Sequence, residues 1–174
     1  MFTAESIDFL NADGDEIDSL TYFDSTSAAV AWLTDALGAP SVSSYEGGAE
    51  AWPGTLYDWN GLELLDPDSN AEWPWRPEYW VAVTTASVNG VSILTVDGVR
   101  VGDSAPELEA RFPDNSSRIT VSGYPERLDI RIGEVPADPD DPAYDGMNYA
   151  VWLIAPDPAT LITEFRTPSP NFGV

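Results

Sequence analysis

The residues best suited to make contacts are crowded into one segment, Trp73-Pro74-Trp75-Arg76-Pro77-Glu78-Tyr79-Trp80. Three tryptophans fall within eight residues, prolines stiffen the chain between them, and Trp52, Tyr57 and Trp59 precede it. Tryptophan, tyrosine and arginine dominate binding hot spots because they bury large areas at low entropic cost. Stacking against sugar rings would use the same side chains. Trp59, Trp73, Trp75, Arg76, Tyr79 and Trp80 are therefore the candidate contact residues. The competing reading is that these rings cover a sheet face, each burying roughly 150–250 Å². Strict alternation puts Tyr57 with Trp59 and Trp80 with Ala82, but not on a known face, and Gly61 could carry a bulge that shifts the phase.

Carboxylates offer the other chemistry. Asp138, Asp140, Asp141 and Asp145 could supply oxygen ligands to calcium, as could Asp66 and Asp68. Asn11-Ala12-Asp13-Gly14-Asp15 fails as a calcium loop, because its first and twelfth ligand positions would be Phe9 and Leu20; a hairpin turn explains it better. Acid–base hydrolysis needs two carboxylates roughly 5–10 Å apart. Asp58, Glu63, Asp129 and Glu134 lie on expected middle strands, although spacing in sequence fixes no distance between them.

Composition removes most other activities. The 174 residues contain no lysine, histidine or cysteine. A thiol nucleophile, a Ser-His-Asp triad, a Schiff base and a P-loop lysine are excluded. So are disulfides and metal or haem sites built on His or Cys. Thirty acidic side chains against seven arginines give a formal charge of -23. Such a surface repels nucleic acid and anionic membranes and attracts basic proteins or divalent cations. Residues 1–75 hold 15 acids and no base, and residues 76–174 hold the other 15 and every arginine. Pairing of first-half acids with the arginines would join the two halves. Hydrophobic residues at 43% and aromatics at 11% suffice for a packed core. No apolar run approaches the roughly 20 residues that span a bilayer, and no leader pattern opens the chain.

The elements that must position these residues read as a repeat. Asp13-Gly14 and Asp97-Gly98 each sit between alternating apolar segments, the signal for a hairpin. Each hairpin precedes a helix. Asp24 or Ser25 caps Thr26 to Leu37, stopped by Gly38 and Pro40, and Asp103 or Ser104 caps Ala105 to Phe112, stopped by Pro113. A three-strand meander follows each helix: 41–45, 55–65 and 79–85 in the first half, then 118–122, 127–135 and 149–155 in the second. Asp/Pro-rich loops at 66–77 and 135–146 sit at the same place in both halves, and a closing strand at 161–166 mirrors 91–96. The expected fold is α+β, with two tandem repeats, 1–86 and 87–174, each a helix packed on an antiparallel meander, together forming one compact unit.

This arrangement resembles the architecture of β-lactamase inhibitory proteins and related small lipoprotein domains. The stretch Thr95-Val96-Asp97-Gly98-Val99-Arg100-Val101-Gly102-Asp103-Ser104, with Leu108 and Arg111-Phe112-Pro113, is similar to secreted or lipid-anchored proteins of high-GC Gram-positive bacteria. The segments Tyr22-Phe23-Asp24 to Pro40 and Tyr57-Asp58-Trp59-Asn60-Gly61-Leu62 share that likeness. The inhibitory proteins carry a disulfide in each repeat, which this chain lacks, and its loops are longer and richer in Asp and Pro. The resemblance implies an exported or cell-envelope domain, with a leader and any lipid-anchor cysteine upstream of residue 1. The expected role is non-enzymatic binding of a protein, such as an extracellular enzyme or an envelope component, without nucleic acid and without membrane insertion. The alternatives are a carbohydrate- or calcium-binding module and, behind these, a carboxylate hydrolase or an acidic DNA mimic.

Overall fold

The computed structural model describes residues 1–47, 52–68, 76–120, 123, 125–137 and 146–171. The chain begins with the hairpin β1 (Ser6–Leu10) and β2 (Glu16–Thr21). Its turn is held as the Asp-Gly signal predicts: Asn11 Oδ1 accepts from the N–H groups of Asp13 and Asp15, both at 2.9 Å. The helix α1 (Thr26–Leu37) is capped by the Ser25 side chain and ends at Gly38, where φ is +87°. Four strands follow: β3 (Ser41–Tyr45), β4 (Gly54–Asp58), β5 (Leu62–Pro67) and β6 (Trp80–Val83). The short hairpin β7 (Ser87–Val88) and β8 (Val91–Ser92) leads into α2 (Ala105–Arg111), capped by Ser104. A single 3-10 turn then precedes β9 (Ser116–Ile119), β10 (Arg127–Pro136), β11 (Asn148–Ala155) and β12 (Glu164–Asn171).

The eight longer strands after α1 form one antiparallel sheet in the order β3-β4-β5-β6-β12-β11-β10-β9. The fold is thus mixed, with two helices and a mostly antiparallel sheet, as the α+β reading required. Strand alternation assigns the two faces. Leu62, Leu64, Val81, Val83, Leu128, Ile130, Leu153 and Phe165 are all buried and cluster with Ala29, Leu33 and Leu37 of α1 and Ala105 and Leu108 of α2. The helices and the β1-β2 hairpin therefore cover one face. The other face carries the intervening residues and is covered by neither helix. Across it the strand register aligns Asp58, Glu63, Ala82, Arg166, Trp152 and Arg131 in a single row.

Three expectations about the strands need correction. The middle strand expected at 55–65 is a hairpin, because Asn60 and Gly61 both take positive φ, 59° and 104°. Those values define the two-residue turn whose twist matches paired strands, and Trp59 N–H closes it on Leu62 O at 2.8 Å. The two Asp/Pro-rich loops are consequently not equivalent: one joins β5 to β6 and the other β10 to β11. The closing segment 161–166 does not mirror 91–96 either. From Glu164 it enters β12 beside β6 in the main sheet, whereas Val91-Ser92 pairs only with Ser87-Val88. The Asp97-Gly98 turn does form, with Thr95 N–H donating to Val99 O at 2.9 Å, but residues 99–101 are not a strand.

The expected pairing of first-half acids with the arginines is absent among the described ion pairs. Six such pairs form, and all join residues between Asp97 and Arg166. The first-half acids instead accept hydrogen bonds from nearby hydroxyls and amides. Buried Asp8 takes Ser6 Oγ and Ser19 Oγ, Asp24 takes Thr21 N–H, and Asp66 takes Thr26 Oγ1. First-half hydroxyls and a backbone amide satisfy these carboxylates without bridging the two halves.

Candidate functional site

Of the six candidate contact residues, the structure places two in the core. Trp59 is 3% exposed, and its Nε1–H donates to Gly38 O at 2.8 Å, tying the β4-β5 turn to the end of α1. Tyr79 is fully buried; its hydroxyl donates to Thr21 O, and its ring meets Tyr22 edge-on at 5.6 Å. Burial pushes the Tyr79 hydroxyl well above its ordinary pKa. Neither ring offers surface to a partner. Trp73 and Trp75 lie outside the described residues, as do Asp138, Asp140, Asp141 and Asp145. Among the described residues, no group of three or more acidic side chains is placed to hold a metal ion.

Arg76 and Trp80 belong to a different constellation, on the sheet face that the helices leave uncovered. The Arg76 guanidinium lies 4.2 Å from the Trp52 ring centroid and 5.0 Å from that of Trp80. Trp152, on the neighbouring half of the sheet, is approached by Arg127 at 5.4 Å and by Arg166 at 5.6 Å. Each contact sits within the roughly 6 Å over which a ring quadrupole attracts a cation. Arg166 and Arg127 also take part in ion pairs. Arg166 Nε meets Glu164 Oε1, and Arg127 Nη2 donates to Asp129 Oδ2 at 2.8 Å. Arg127 Nε and Asp129 Oδ1 are equally close but lack hydrogen-bond alignment. These pairs fix the guanidinium planes over the indoles.

Between the two tryptophan groups the face sinks into an open groove of about 430 Å³. Trp52, Trp80 and Trp152 stand in its walls, with Tyr45, Leu56, Leu65 and the Pro168–Pro170 segment beside them. Trp52 is 44% exposed. Glu63, Glu164 and Arg166 supply the charge. Glu63 is half-buried, and its carboxyl titrates above the ordinary value because burial and the nearby Asp58 and Glu164 carboxylates outweigh Arg166. Asp58 and Glu63 are paired residues of β4 and β5. They stand side by side on one face, and Asp58 Oδ1 is engaged by the Gly61 N–H at 2.9 Å.

Sequence reasoning missed Trp152, Arg127 and Arg166. The signal was present in the alternation of Arg127, Asp129 and Arg131 with Leu128, Ile130 and Ile132, which marks one face of β10 as polar. Trp152 is then exposed to that face by its register with Arg131 and Arg166. Neither helix among the described residues is long and apolar enough to cross a membrane. No protein-family model, curated protein or solved structure matches the chain.

Proposed function

We propose that the protein is an exported, non-enzymatic binding domain that grips a protein partner with the uncovered face of its sheet. The observation that carries this reading is the set of three tryptophans on that face, each held under an arginine. A soluble domain gains little stability from indoles on a wet sheet face, whereas preorganised aromatic–arginine clusters are the anchors of protein interfaces. The groove gives such an interface a recess at its centre. The polar residues around it, including Glu164 and Arg166, supply a rim.

The strand order favours a tandem origin for this face. Four strands after α1 run from one edge to the centre, and four after α2 run from the other edge to meet them at β6 and β12. On this reading the repeat unit is a helix and four strands, one more strand than the sequence suggests, and the binding face spans both copies. That layout suits the resemblance to β-lactamase inhibitory proteins and the envelope-associated domains, and with it export from the cell.

The test is capture from the source organism's envelope and secreted fractions, comparing the wild-type chain with a Trp80→Ala, Trp152→Ala double variant. A discrete protein captured by the wild type and lost from the folded variant is the expected result. Equal capture by both chains would remove the face from consideration. A glycan array that retains the wild type and not the variant would favour the carbohydrate-binding alternative.

A further inference from the structure

The groove has one feature that tryptophan-mediated contact does not use. Glu164 and Arg166 pair with each other, which leaves Glu63 as the groove carboxylate with no ion pair or hydrogen bond among the described residues. Its partners across the two adjacent strands are Asp58 and Ala82, an acid and a methyl group. Arg166 lies in the same row but two strands away, roughly 10 Å at the usual strand spacing. An acid is thus held in an aromatic recess where its charge is opposed by burial and by its neighbours.

We propose that this groove receives a lysine side chain of the protein partner, with the ammonium on the Glu63 carboxylate and the methylene stem against Trp80 and Trp152. The inference rests on the binding-face reading above and names what that face recognises. Charge complementarity selects the occupant. The chain carries -23 overall, and within the groove the surplus is again negative. A cation in the groove would offset the cost of burying the Glu63 charge beside Asp58 and Glu164, a cost that its raised pKa reflects. Much of the wall is indole, leucine and proline, which suits an ammonium on an apolar stem better than a metal ion.

Lysine fits better than arginine because each indole already has a guanidinium beside it. A guanidinium binds by stacking or by a two-pronged fork, and Arg76, Arg127 and Arg166 already cover the indoles. An ammonium needs one oxygen and a narrow path. The chain has no lysine of its own, so a second copy cannot supply it.

The experiment titrates the full chain with N-acetyl-lysine N-methylamide. Nuclear magnetic resonance follows the Trp80 and Trp152 indole N–H signals and the Glu63 carboxyl carbon. N-acetyl-norleucine N-methylamide, which has the stem without the charge, is the comparison. The expected result is saturable shifts at both indoles, a fall in the Glu63 pKa, and roughly tenfold weaker binding of the norleucine compound, the scale of a charge-assisted hydrogen bond. Glu63→Gln, on the face away from the core, should weaken the lysine compound about as much. Equal binding of the two compounds, no response at the indoles, or indifference to Glu63→Gln would each overturn the proposal. So would maltose or calcium moving the same signals at lower concentration. Partner capture separates the two levels of inference. Capture that survives Glu63→Gln but is lost in Trp152→Ala sinks the lysine assignment and leaves the binding face standing, while capture indifferent to both sinks the face itself.

Discussion

Trp59 and Trp152 provide a direct test of which sheet face is core and which is surface. Trp59→Ala removes a ring that is 3% exposed, stacks on Tyr57 at 6.3 Å and donates to Gly38 O. Truncating a core tryptophan costs about 3–5 kcal/mol, the lost contacts and the cavity together. That is a fifth or more of the roughly 5–15 kcal/mol that holds a domain folded. Trp152→Ala removes a ring that touches two arginines and is partly solvated. Each cation–π contact at such a site contributes about 0.5–1 kcal/mol, so the total, with some apolar contact, is about 1–2 kcal/mol. With a urea slope near 2 kcal/mol per molar, the midpoint should fall by roughly 1.5–2.5 M for Trp59→Ala and by less than about 1 M for Trp152→Ala. Far-UV circular dichroism is the suitable probe, since both substitutions alter tryptophan fluorescence directly. Equal midpoint losses would refute the reasoning, because Trp152 would then be a packing residue and the groove face part of a second core.

Two further substitutions test the framework around the groove. A methyl group at Gly54 would lie 2.1 Å from Asp66 O and 2.8 Å from Pro67 Cα, both backbone atoms of the paired strand. Gly54→Ala must therefore part β4 from β5, and a loss of about 3 kcal/mol is expected in urea unfolding; a loss within error would mean the strands separate there freely. Glu63 binds its proton more readily in the folded chain than in the unfolded one. Its charge therefore opposes folding above the folded pKa, and this cost fades as pH falls toward and below the ordinary value of 4.5. Glu63→Gln should raise the melting temperature near neutral pH and leave it unchanged in acid, and a gain that persists in acid would contradict the assignment.

The parts of the fold legible in the sequence were those governed by local chemistry. Ser25 and Ser104 cap the helices because a serine oxygen before an apolar run can take the first free N–H groups. Asp13-Gly14 and Asp97-Gly98 turn the chain because these residue types tolerate positive or turn-compatible φ. The same rule should have split the strand at Asn60-Gly61 and marked the turn at Asn89-Gly90, where φ is 48° and 85°. Reading Gly61 as a bulge hid a strand, and the error propagated into the matching of the two halves. The site was harder for a different reason. Trp59 and Trp80 both fall on expected strands, yet one is sealed by α1 and the other faces the groove. Which face the helices cover is decided by the summed apolar area of distant strands, and no window around either tryptophan contains that information.

The arginines explain why so unbalanced a charge is compatible with a stable fold. Six ion pairs among the described residues lie in the second half, and three arginines sit against tryptophans on the face that neither helix covers. None of these pairs joins the two halves; an apolar cluster drawn from both does. The first-half carboxylates described above are satisfied by hydroxyls and amides, which accept their geometry without cancelling their charge. These carboxylates keep their charge, and a field of that sign is the kind that steers a basic protein. The groove adds a separate, short-range reason for the same preference. Among the described residues, Glu63 is the groove carboxylate without an ion pair, and it stands among indoles that arginines approach. On the proposed reading, long-range attraction and local chemistry favour the same basic partner from independent features of the chain, one from composition and the other from strand register.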